Sequence, residues 1–197
     1  MTHLSSLKYC HLIITCLLII IISRNLHSQI VVPVSNQADL IAKIIVMNKN
    51  FNLSGKPITM GILYNGNSKS SVDNAYELKM TLLNKGNVIN NMPLNIVLID
   101  ASEYSQGSLI EEIRNLSLDI LYIFNLRGQD LNKINNLCKE KYILSITADP
   151  SYLQKDFTLS FDIVNNSIKI IINLKSMYAE KVDFSSYLLK VAKVINE

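Results

Sequence analysis

Residues 157–174 read FTLSFDIVNNSIKIIINL, two alternating stretches joined by a pair of asparagines. Apolar side chains recur at every second position in residues 157–163 and again in 168–174, which is the period of a β-strand with one buried face. Asn165 and Asn166 both tolerate a positive φ, as the tight two-residue turn of a hairpin requires. This stretch therefore predicts an antiparallel hairpin that packs one face on a core.

A helical pattern follows the hairpin. Between residues 184 and 195 the apolar side chains share one stripe at helical spacing: Phe184, Leu188, Val191, Ala192 and Ile195. Asp183 or Ser185 can cap the start of such a helix, because a short polar side chain there accepts a hydrogen bond from a free backbone N–H. We therefore expect the chain to close with an amphipathic C-terminal helix.

The chain before the hairpin alternates between strand and helix patterns. Short apolar runs bounded by turn residues predict strands at 57–64, 93–99, 118–124 and 142–147. Helical spacing predicts helices at 39–47, 72–84, 105–116 and 130–141, the first capped by Ser35 or Asn36. Strands separated by helices need crossover connections, which produce a parallel sheet covered on both faces. The predicted fold class is α/β: a mainly parallel sheet with flanking helices, a closing β-hairpin and a C-terminal helix.

The first 28 residues differ in composition from the rest. Lys8 precedes an apolar run over residues 12–22, and the small residue Ser28 follows it. The eleven residues of that run are fewer than the roughly 20 that span a bilayer. A charge, a short apolar run and a small residue, in that order, are typical of a secretory signal peptide. We predict a signal peptide at 1–28, a single α/β domain at 29–197 and secretion of the mature chain.

Cleavage at that point would remove most of the residues that reactive sites use. All histidines and two of the three cysteines lie in the first 28 residues: His3, His11, His27, Cys10 and Cys16. A histidine-based triad, a zinc site with histidine, a redox cysteine pair and an intramolecular disulfide are then excluded from the mature chain. The remaining Cys138 shares a helical stripe with Leu131 and Ile134, which predicts a buried thiol. A reactive thiol or an intermolecular bridge is the alternative.

The charge of the chain excludes a further class of partner. The formal net charge is +3, from 19 basic and 16 acidic residues. Without Lys8 and Arg24 it becomes +1, from 17 basic and 16 acidic residues. No basic run or stripe interleaved with aromatic residues occurs, so nucleic acid is not expected as a partner. The sequence also predicts no metal site and no cofactor.

A family resemblance is carried by the end of the chain. Ile172-Asn173-Leu174 is followed after ten residues by Ser185-Ser186-Tyr187-Leu188-Leu189-Lys190-Val191-Ala192. A strand with an Ile-Asn pair, followed by a helix with serines, paired leucines and alanine, resembles the YfiR-like family (DUF4154) of secreted bacterial proteins. The order of the earlier elements also fits, so the resemblance covers essentially all of residues 29–197.

The resemblance implies a fold, a location and a function. The fold would be similar to one lobe of a periplasmic substrate-binding protein. The function would be that of a non-catalytic periplasmic regulator, which binds the periplasmic part of a membrane-embedded signalling protein. That partner would be a diguanylate cyclase or a sensor kinase, and the regulator would tune cyclic-di-GMP signalling. The sequence leaves open whether the protein forms a homodimer.

The same motif supplies candidate partner-binding residues: Asn173, Ser185 and Ser186. In this interpretation Asn173 lies on the polar face of the last hairpin strand and the serines lie at the start of the closing helix. The structural alternative is that Ser185 caps the helix while Asn173 satisfies backbone groups at the strand end.

The loops after the parallel strands suggest an alternative function. An open α/β sheet binds ligands at the carboxyl ends of its strands, which here are followed by residues 65–71, 100–107, 125–130 and 149–156. The candidate ligand residues in these loops are Asn65, Asn67, Ser70, Asp100 and Asp149. The alternative to a regulator is therefore a binding module for a small ligand.

The acidic residues of these loops could converge at one edge of the sheet: Asp100, Glu103, Asp149 and Asp156. A pair of carboxylates can serve hydrolysis or bind a cation. Ordinary solvated loops explain these residues equally well, and we predict that the protein is not an enzyme.

Overall fold

The computed structural model describes residues 32–54, 56–86, 88–89, 91–126 and 128–196. The signal peptide predicted at 1–28 lies outside these residues. Among the helices that are described, none is both long enough and apolar enough to cross a lipid bilayer.

The described residues form one eight-stranded sheet. In chain order the strands are β1 (Ile58–Tyr64), β2 (Val88–Ile89), β3 (Met92–Asp100), β4 (Ile120–Ile123), β5 (Leu144–Thr147), β6 (Leu159–Val164), β7 (Ser167–Asn173) and β8 (Lys193–Ile195). Their order across the sheet is β2-β3-β1-β4-β5-β6-β7-β8. Only the β2/β3 and β6/β7 pairs are antiparallel; the other neighbouring strands run parallel.

Helices connect most of these strands. The α-helices are α1 (Val34–Met47), α2 (Lys49–Ser54), α3 (Lys69–Asn84), α4 (Gln106–Asn115), α5 (Leu131–Lys141), α6 (Leu174–Ala179) and α7 (Ser186–Val191). Short 3-10 helices follow β3 at Ala101–Glu103 and β5 at Pro150–Lys155. The predicted fold class, α/β with a mainly parallel sheet and flanking helices, is confirmed.

Hydrophobic cores lie on both faces of the sheet. On β1, Met60 and Ile62 belong to one core, while the neighbouring Leu63 belongs to the other. The first core also contains side chains of α1, α3 and α7, and the second contains side chains of α4, α5 and the 3-10 helix after β5. Each fully buried isoleucine or leucine contributes about 1.5–3 kcal/mol relative to exposure. The near-continuous apolar strands in the sequence are explained by this double coverage.

The hairpin forms where the alternating stretches predict it. Asn165 and Asn166 turn the chain with φ values of 51° and 57°, and Leu159 on β6 pairs with Ile172 on β7. The expectation that only one face packs on a core is wrong for the first half of β6. Thr158 and Ser160, on the predicted polar face, are both completely buried, because other parts of the chain cover that face as well.

The closing helix is shorter than the predicted 184–195. Phe184 and Leu188 are buried as the stripe predicts, but α7 ends at Val191, which is 50% exposed. The backbone is already extended at Ala192 (φ −78°, ψ 155°), and β8 follows, with Val194 paired to Ile172 of β7. The open edge of β7 offers backbone hydrogen-bonding partners that a continued helix would leave unused, which favours a last strand.

The start of the first helix also differs from its prediction. Ser35 and Asn36, the predicted caps, lie inside α1, which begins at Val34 directly after Pro33. The carbonyl of Pro33 accepts the first helical hydrogen bond, from the Gln37 N–H at 3.0 Å. Proline fixes its own φ, so this residue directs the chain into the helix without a capping side chain.

The end of the chain is bound to the junction between α1 and α2. The Lys49 N–H donates to the Asp183 carbonyl at 2.8 Å, and the Ser185 N–H donates to the Met47 carbonyl at 2.9 Å. The side chains of Lys49 and Asp183 form an ion pair at 2.9 Å. These contacts hold α7 and β8 in place against the first core.

Candidate functional site

A small cleft lies at the carboxyl edge of the sheet, with a volume of about 200 Å³. It is lined by residues of the loops after β1, β3 and β4: Asn65, Asn67, Ala101, Ser102, Tyr104, Leu126 and Gln129. These three strands are adjacent in the order β3-β1-β4, so their loops meet above the sheet. This is the position at which open α/β sheets bind ligands.

Asp100 connects the loops after β1 and β3 by hydrogen bonds. Its Oδ1 accepts hydrogen bonds from the Gly66 N–H at 2.8 Å, the Ser102 N–H at 2.9 Å and the Ser102 hydroxyl at 2.7 Å. Burial raises the pKa of Asp100, but the bonds from Ser102 and Gly66 outweigh it and hold the pKa below its usual value. A Cβ on Gly66 would lie only 1.8 Å from Asp100 Oδ2. The carboxyl group of Asp100 can lie this close to residue 66 only because that residue is glycine.

The loop after β1 is held mainly by its own hydrogen bonds. Asn65 Oδ1 accepts from the Asn67 N–H at 3.0 Å, and the Asn65 N–H donates to the Ser71 hydroxyl at 3.0 Å. Ser68 caps α3, and its hydroxyl lies 3.2 Å from that of Ser70. Asn65 and Asn67 line the cleft, whereas Ser70 is exposed on the first turn of α3 and does not.

Gln129 lines the cleft and carries one unpaired, buried amide oxygen. Its Nε2 donates to the Ala101 carbonyl at 3.1 Å, which fixes the orientation of the amide. Its Oε1 is buried and has no hydrogen-bond partner among the described residues. An unpaired buried acceptor costs about 1–3 kcal/mol, and this one has too little accessible surface for a water or ligand atom to reach it in this conformation.

Asp149 lies away from this cleft. It follows β5, which is separated from β3 by β1 and β4 in the sheet, and it accepts from the Ser151 N–H at 2.9 Å and the Ser151 hydroxyl at 2.7 Å. Asp156 is held instead by an ion pair with Lys139 at 3.1 Å. Asp149 and Asp156 therefore do not join Asp100 and Glu103, and no group of three or more metal-binding side chains occurs among the described residues.

The tail residues have clear structural positions. Asn173 is completely buried, and its Oδ1 accepts from the Ser176 N–H at 3.4 Å as the cap of α6. The expectation that Asn173 presents an exposed polar face is therefore wrong. Ser185 caps α7 by accepting from the Leu188 N–H at 3.3 Å, while Ser186 beside it is exposed.

A buried carboxylate, missed by sequence reasoning, lies near this tail. Glu180 is 1% exposed. It accepts from the Ser145 N–H at 3.0 Å, the Ser145 hydroxyl at 2.6 Å and the Thr158 hydroxyl at 2.6 Å. Burial raises the pKa of Glu180 to about 7, although these bonds and the charge of Lys139 act against the rise. No local pattern in the sequence around Glu180 distinguishes it from a surface glutamate.

Comparison with protein families gives a match over most of the chain. Residues 54–193 match the DUF4154 family, which is described as YfiR/HmsC-like. No curated protein matches the chain significantly.

Solved structures share the fold at low sequence identity. The ABC domain of Streptococcus pneumonia in complex with L-Trp superposes with a TM-score of 0.60 at 13% identity, over 83% of this chain and 60% of that one. A conserved domain protein of Vibrio cholerae superposes with a TM-score of 0.58 at 14% identity, over 82% of this chain and 60% of that one.

A third structure is the ligand-free, open form of a substrate-binding protein with adhesive properties from Clostridium difficile. It gives a TM-score of 0.56 at 15% identity, over 79% of this chain and 59% of that one. The chain thus spans about three-fifths of the length of these structures. Identity this low shows only a shared fold, in agreement with the predicted similarity to one lobe of a periplasmic binding protein.

Proposed function

The chain belongs to the YfiR/HmsC-like family, and on this premise we propose that it is a secreted periplasmic regulator of a membrane signalling protein. It binds the periplasmic part of a membrane-embedded diguanylate cyclase or sensor kinase and controls its activity without catalysing a reaction. The family and the binding-protein-like folds are non-catalytic types.

The observation that carries this proposal is the exposure of apolar side chains near the end of the chain. Four of the nine large hydrophobic side chains that are exposed among the described residues lie within residues 178–194: Tyr178, Tyr187, Val191 and Val194. We call these four residues together with Ser186 the tail surface. Exposed aromatic side chains are enriched at protein interfaces, where tyrosine often supplies much of the binding energy.

The tail surface offers two modes of contact. Tyr187 and Val191 are one helical turn apart on α7, so they share a face. Next to them, β8 is the last strand of the sheet, and no strand of the described residues pairs with its outer edge. A periplasmic segment of the partner could add a strand to this edge while apolar side chains bind to the α7 face.

The test is binding of the purified chain to the periplasmic domain of a membrane cyclase or sensor kinase encoded beside its gene. We expect the wild-type chain to bind, and Tyr187→Ala to weaken binding about 30-fold, the factor that corresponds to a hot-spot loss of about 2 kcal/mol. Tyr76→Ala is the matched control, because Tyr76 is 51% exposed on α3, far along the chain from the tail surface.

Two results would contradict the proposal. If the chain binds neither kind of periplasmic domain, the regulator function is wrong. If Tyr76→Ala weakens binding as much as Tyr187→Ala, the tail surface is not the contact. Ser186→Ala belongs to the same series and should weaken binding less than Tyr187→Ala, since its side chain is small.

A second candidate function is a binding module for a small molecule, supported by the cleft at the carboxyl edge of the sheet with its amide side chains Asn65, Asn67 and Gln129. Isothermal titration of small polar molecules into the chain alone tests it, because a regulator that recognises only a protein would release or absorb no heat.

A further inference from the structure

Three segments of the chain meet at the amino edge of the sheet, where the parallel strands begin and opposite the edge that carries the cleft. Residues 139–142 precede β5, and residues 155–156 precede β6. Residues 174–182 follow β7, which is antiparallel to β6 and therefore ends beside the start of that strand. The structure describes every residue of these three segments.

Side chains of the three segments are in contact with one another. Asp156 forms an ion pair with Lys139 at 3.1 Å and another with Lys175 at 3.5 Å, which joins all three segments. The ammonium group of Lys181 lies 3.8 Å from the centre of the Tyr142 ring, as in a cation–π contact. The three segments therefore form one continuous surface.

This surface carries an excess of positive charge. Its segments contain three acids, Glu140, Asp156 and Glu180, and five lysines, Lys139, Lys141, Lys155, Lys175 and Lys181. Glu180 is buried, and Glu140 is paired with Arg114. Asp156 is shared by two lysines. Among the described residues, no carboxylate lies at salt-bridge distance from the other three, Lys141, Lys155 and Lys181.

Helix ends explain only part of this clustering. Lys139 and Lys141 lie in the last turn of α5, where the helix dipole favours a positive charge. Lys175 lies in the first turn of α6, where the dipole disfavours one. The sequence shows no basic run here, because the fold brings these lysines together from segments that are far apart along the chain.

Two exposed tyrosines lie among the lysines. Tyr142 is 52% exposed and Tyr178 is 68% exposed, and the backbone N–H of Lys181 donates to the Tyr178 carbonyl at 3.1 Å. Tyrosine has an apolar ring and a polar hydroxyl, and it is enriched at the headgroup level of membranes. We call the five lysines together with Tyr142 and Tyr178 the lysine surface.

The type of cation distinguishes between anionic partners. These three segments contain five lysines and no arginine. Arginine holds a carboxylate in a fixed geometry through its planar fork, whereas lysine places a compact charge on a flexible stem. Flexible point charges suit a fluid layer of phosphate groups better than a single carboxylate in a fixed position. The charge and the side chains of this surface therefore match anionic phospholipid headgroups.

We propose that the lysine surface docks the protein onto a lipid bilayer that contains anionic phospholipids. The inference goes beyond the proposed function and does not depend on it. Each lysine close to such a bilayer contributes about fivefold in affinity, so the docking is reversible and requires several lysines together. Because Tyr178 belongs to both surfaces, docking brings the tail surface close to the membrane in which a signalling protein would lie.

The test is co-sedimentation of the purified chain with lipid vesicles. One set contains equal amounts of phosphatidylglycerol and phosphatidylcholine, and the other contains phosphatidylcholine alone. We expect binding to the anionic vesicles to be at least about tenfold tighter, since two lysines already contribute more than that. Raising the salt concentration from about 0.1 M to 1 M should abolish the difference, because it shortens the Debye length from about 10 Å to 3 Å.

A pair of charge reversals examines the lysine surface itself. Lys141→Glu/Lys181→Glu should weaken binding to the anionic vesicles at least about 25-fold, the product of two fivefold losses. Lys69→Glu/Lys133→Glu is the matched control, with the same change in net charge at exposed positions on the first turns of α3 and α5. It should bind within about threefold of the wild type, because these helices begin at the opposite edge of the sheet.

Thermal unfolding shows whether the variants are folded. If the double reversal at the lysine surface is unstable, Lys155→Glu replaces it, because Lys155 is exposed and has no ion pair among the described residues. This single change should weaken binding at least about fivefold. Every variant keeps the same N-terminal residues, so differences between variants report on the exchanged lysines alone.

The other outcomes overturn the proposal. If both double reversals weaken binding equally, the net charge is responsible and the lysine surface is not. If the chain binds phosphatidylcholine as tightly as the anionic vesicles, or binds neither, docking through lysines is wrong. If it binds soluble poly-L-glutamate and no vesicle, the surface takes an acidic protein segment instead. Binding of a signalling domain to the tail surface is measured without vesicles, so the regulator function stands or fails separately.

Discussion

The carboxylate of Glu180, at the end of α6, accepts a hydrogen bond from the Ser145 hydroxyl on β5 at 2.6 Å inside the protein. The groups that face it are the hydroxyl of Thr158, the thiol of Cys138 and the charge of Lys139. No lysine or arginine of the described residues forms an ion pair with it at salt-bridge distance. A single buried acid thus joins the last helices to the centre of the sheet.

This acid predicts a dependence of stability on pH. The pKa of Glu180 is raised from 4.5 to about 7 in the folded chain. The folded state therefore holds a proton that the unfolded state has lost, so this stabilisation is complete below about pH 4.5 and is lost as the pH rises through 7. The loss amounts to about 3 kcal/mol, for a rise of roughly two and a half pK units. Urea unfolding followed by circular dichroism between pH 4.5 and 8 measures it.

Glu180→Gln should abolish this dependence and be the more stable form at pH 8. The amide oxygen can accept from the Ser145 N–H, and the amide nitrogen can donate to a hydroxyl, so the hydrogen bonds survive without a charge. Glu111→Gln, which changes an exposed glutamate, is the control. Its free energy of unfolding should depend on pH with the same slope as that of the wild type. Equal slopes for Glu180→Gln and the wild type would show that Glu180 does not titrate in this range.

Ser185 is expected to contribute to stability through its cap on α7. Ser185→Ala should lower the free energy of unfolding by about 1 kcal/mol, within the usual range of 0.5–2 kcal/mol for a lost cap. Ser186→Ala is the matched control and should change it by less than about 0.5 kcal/mol, since Ser186 is exposed. Thermal unfolding of both variants checks this. A selective loss of partner binding by Ser185→Ala at unchanged stability would reject the role as a cap alone.

Gly66 and Gly107 should respond in opposite directions to alanine. At Gly66 the new Cβ would lie 1.8 Å from Asp100 Oδ2, and we expect a loss of about 1–3 kcal/mol as the loops are forced apart. At Gly107, on the first turn of α4, nothing lies within 4 Å of the new Cβ, so alanine should stabilise the chain by about 0.4–1 kcal/mol. The denaturant midpoints of the two variants measure both changes in stability. If Gly66→Ala leaves the midpoint unchanged, the close approach of Asp100 to residue 66 is disproved.

Cys138 should be unreactive in the folded chain. Its side chain is completely buried, and burial, followed by the charge of Glu180, raises the pKa of the thiol well above its usual value. Reaction with a disulfide reagent at pH 8 should be at least about 100-fold slower than in guanidinium, because the reactive form requires opening of the second core. A Cys138→Ser sample gives the background from Cys10 and Cys16. If the native chain reacts as fast as the unfolded chain, Cys138 is a reactive thiol, which is the alternative to a buried one.

Elements with a strong local period were predictable from the sequence. Residues 157–174 alternate with a period of two and form β6 and β7, and the apolar run at 57–64 forms β1. The end of the chain was not predictable, because Ile195 fits the helical stripe that predicts a helix over 184–195. The strand conformation of residues 193–195 depends on the open edge of β7, which only the assembled sheet provides.

The site was predictable as loops and not as individual residues. Three of the four loops that the rule for the carboxyl edge selects line the cleft, and Asn65 and Asn67 are among the lining residues. This rule does not give the order of the strands, in which β3, β1 and β4 are neighbours and β5 lies further away. Because of that order, Tyr104 and Gln129 line the cleft and Asp149 does not. Glu180 escaped prediction for a similar reason, since its burial results from contacts with β5 and the start of β6.

The contacts between the α1–α2 junction and the end of the chain affect the order in which the protein can fold. The paired Lys49 and Asp183 lie 134 positions apart, and closing a flexible loop of that length costs about 4 kcal/mol. Synthesis delivers the N-terminal helices first, so α1 cannot complete its core until Phe184 and Leu188 have been synthesised. The contacts that complete the first core are therefore long-range in sequence, a property that is typical of slow folding.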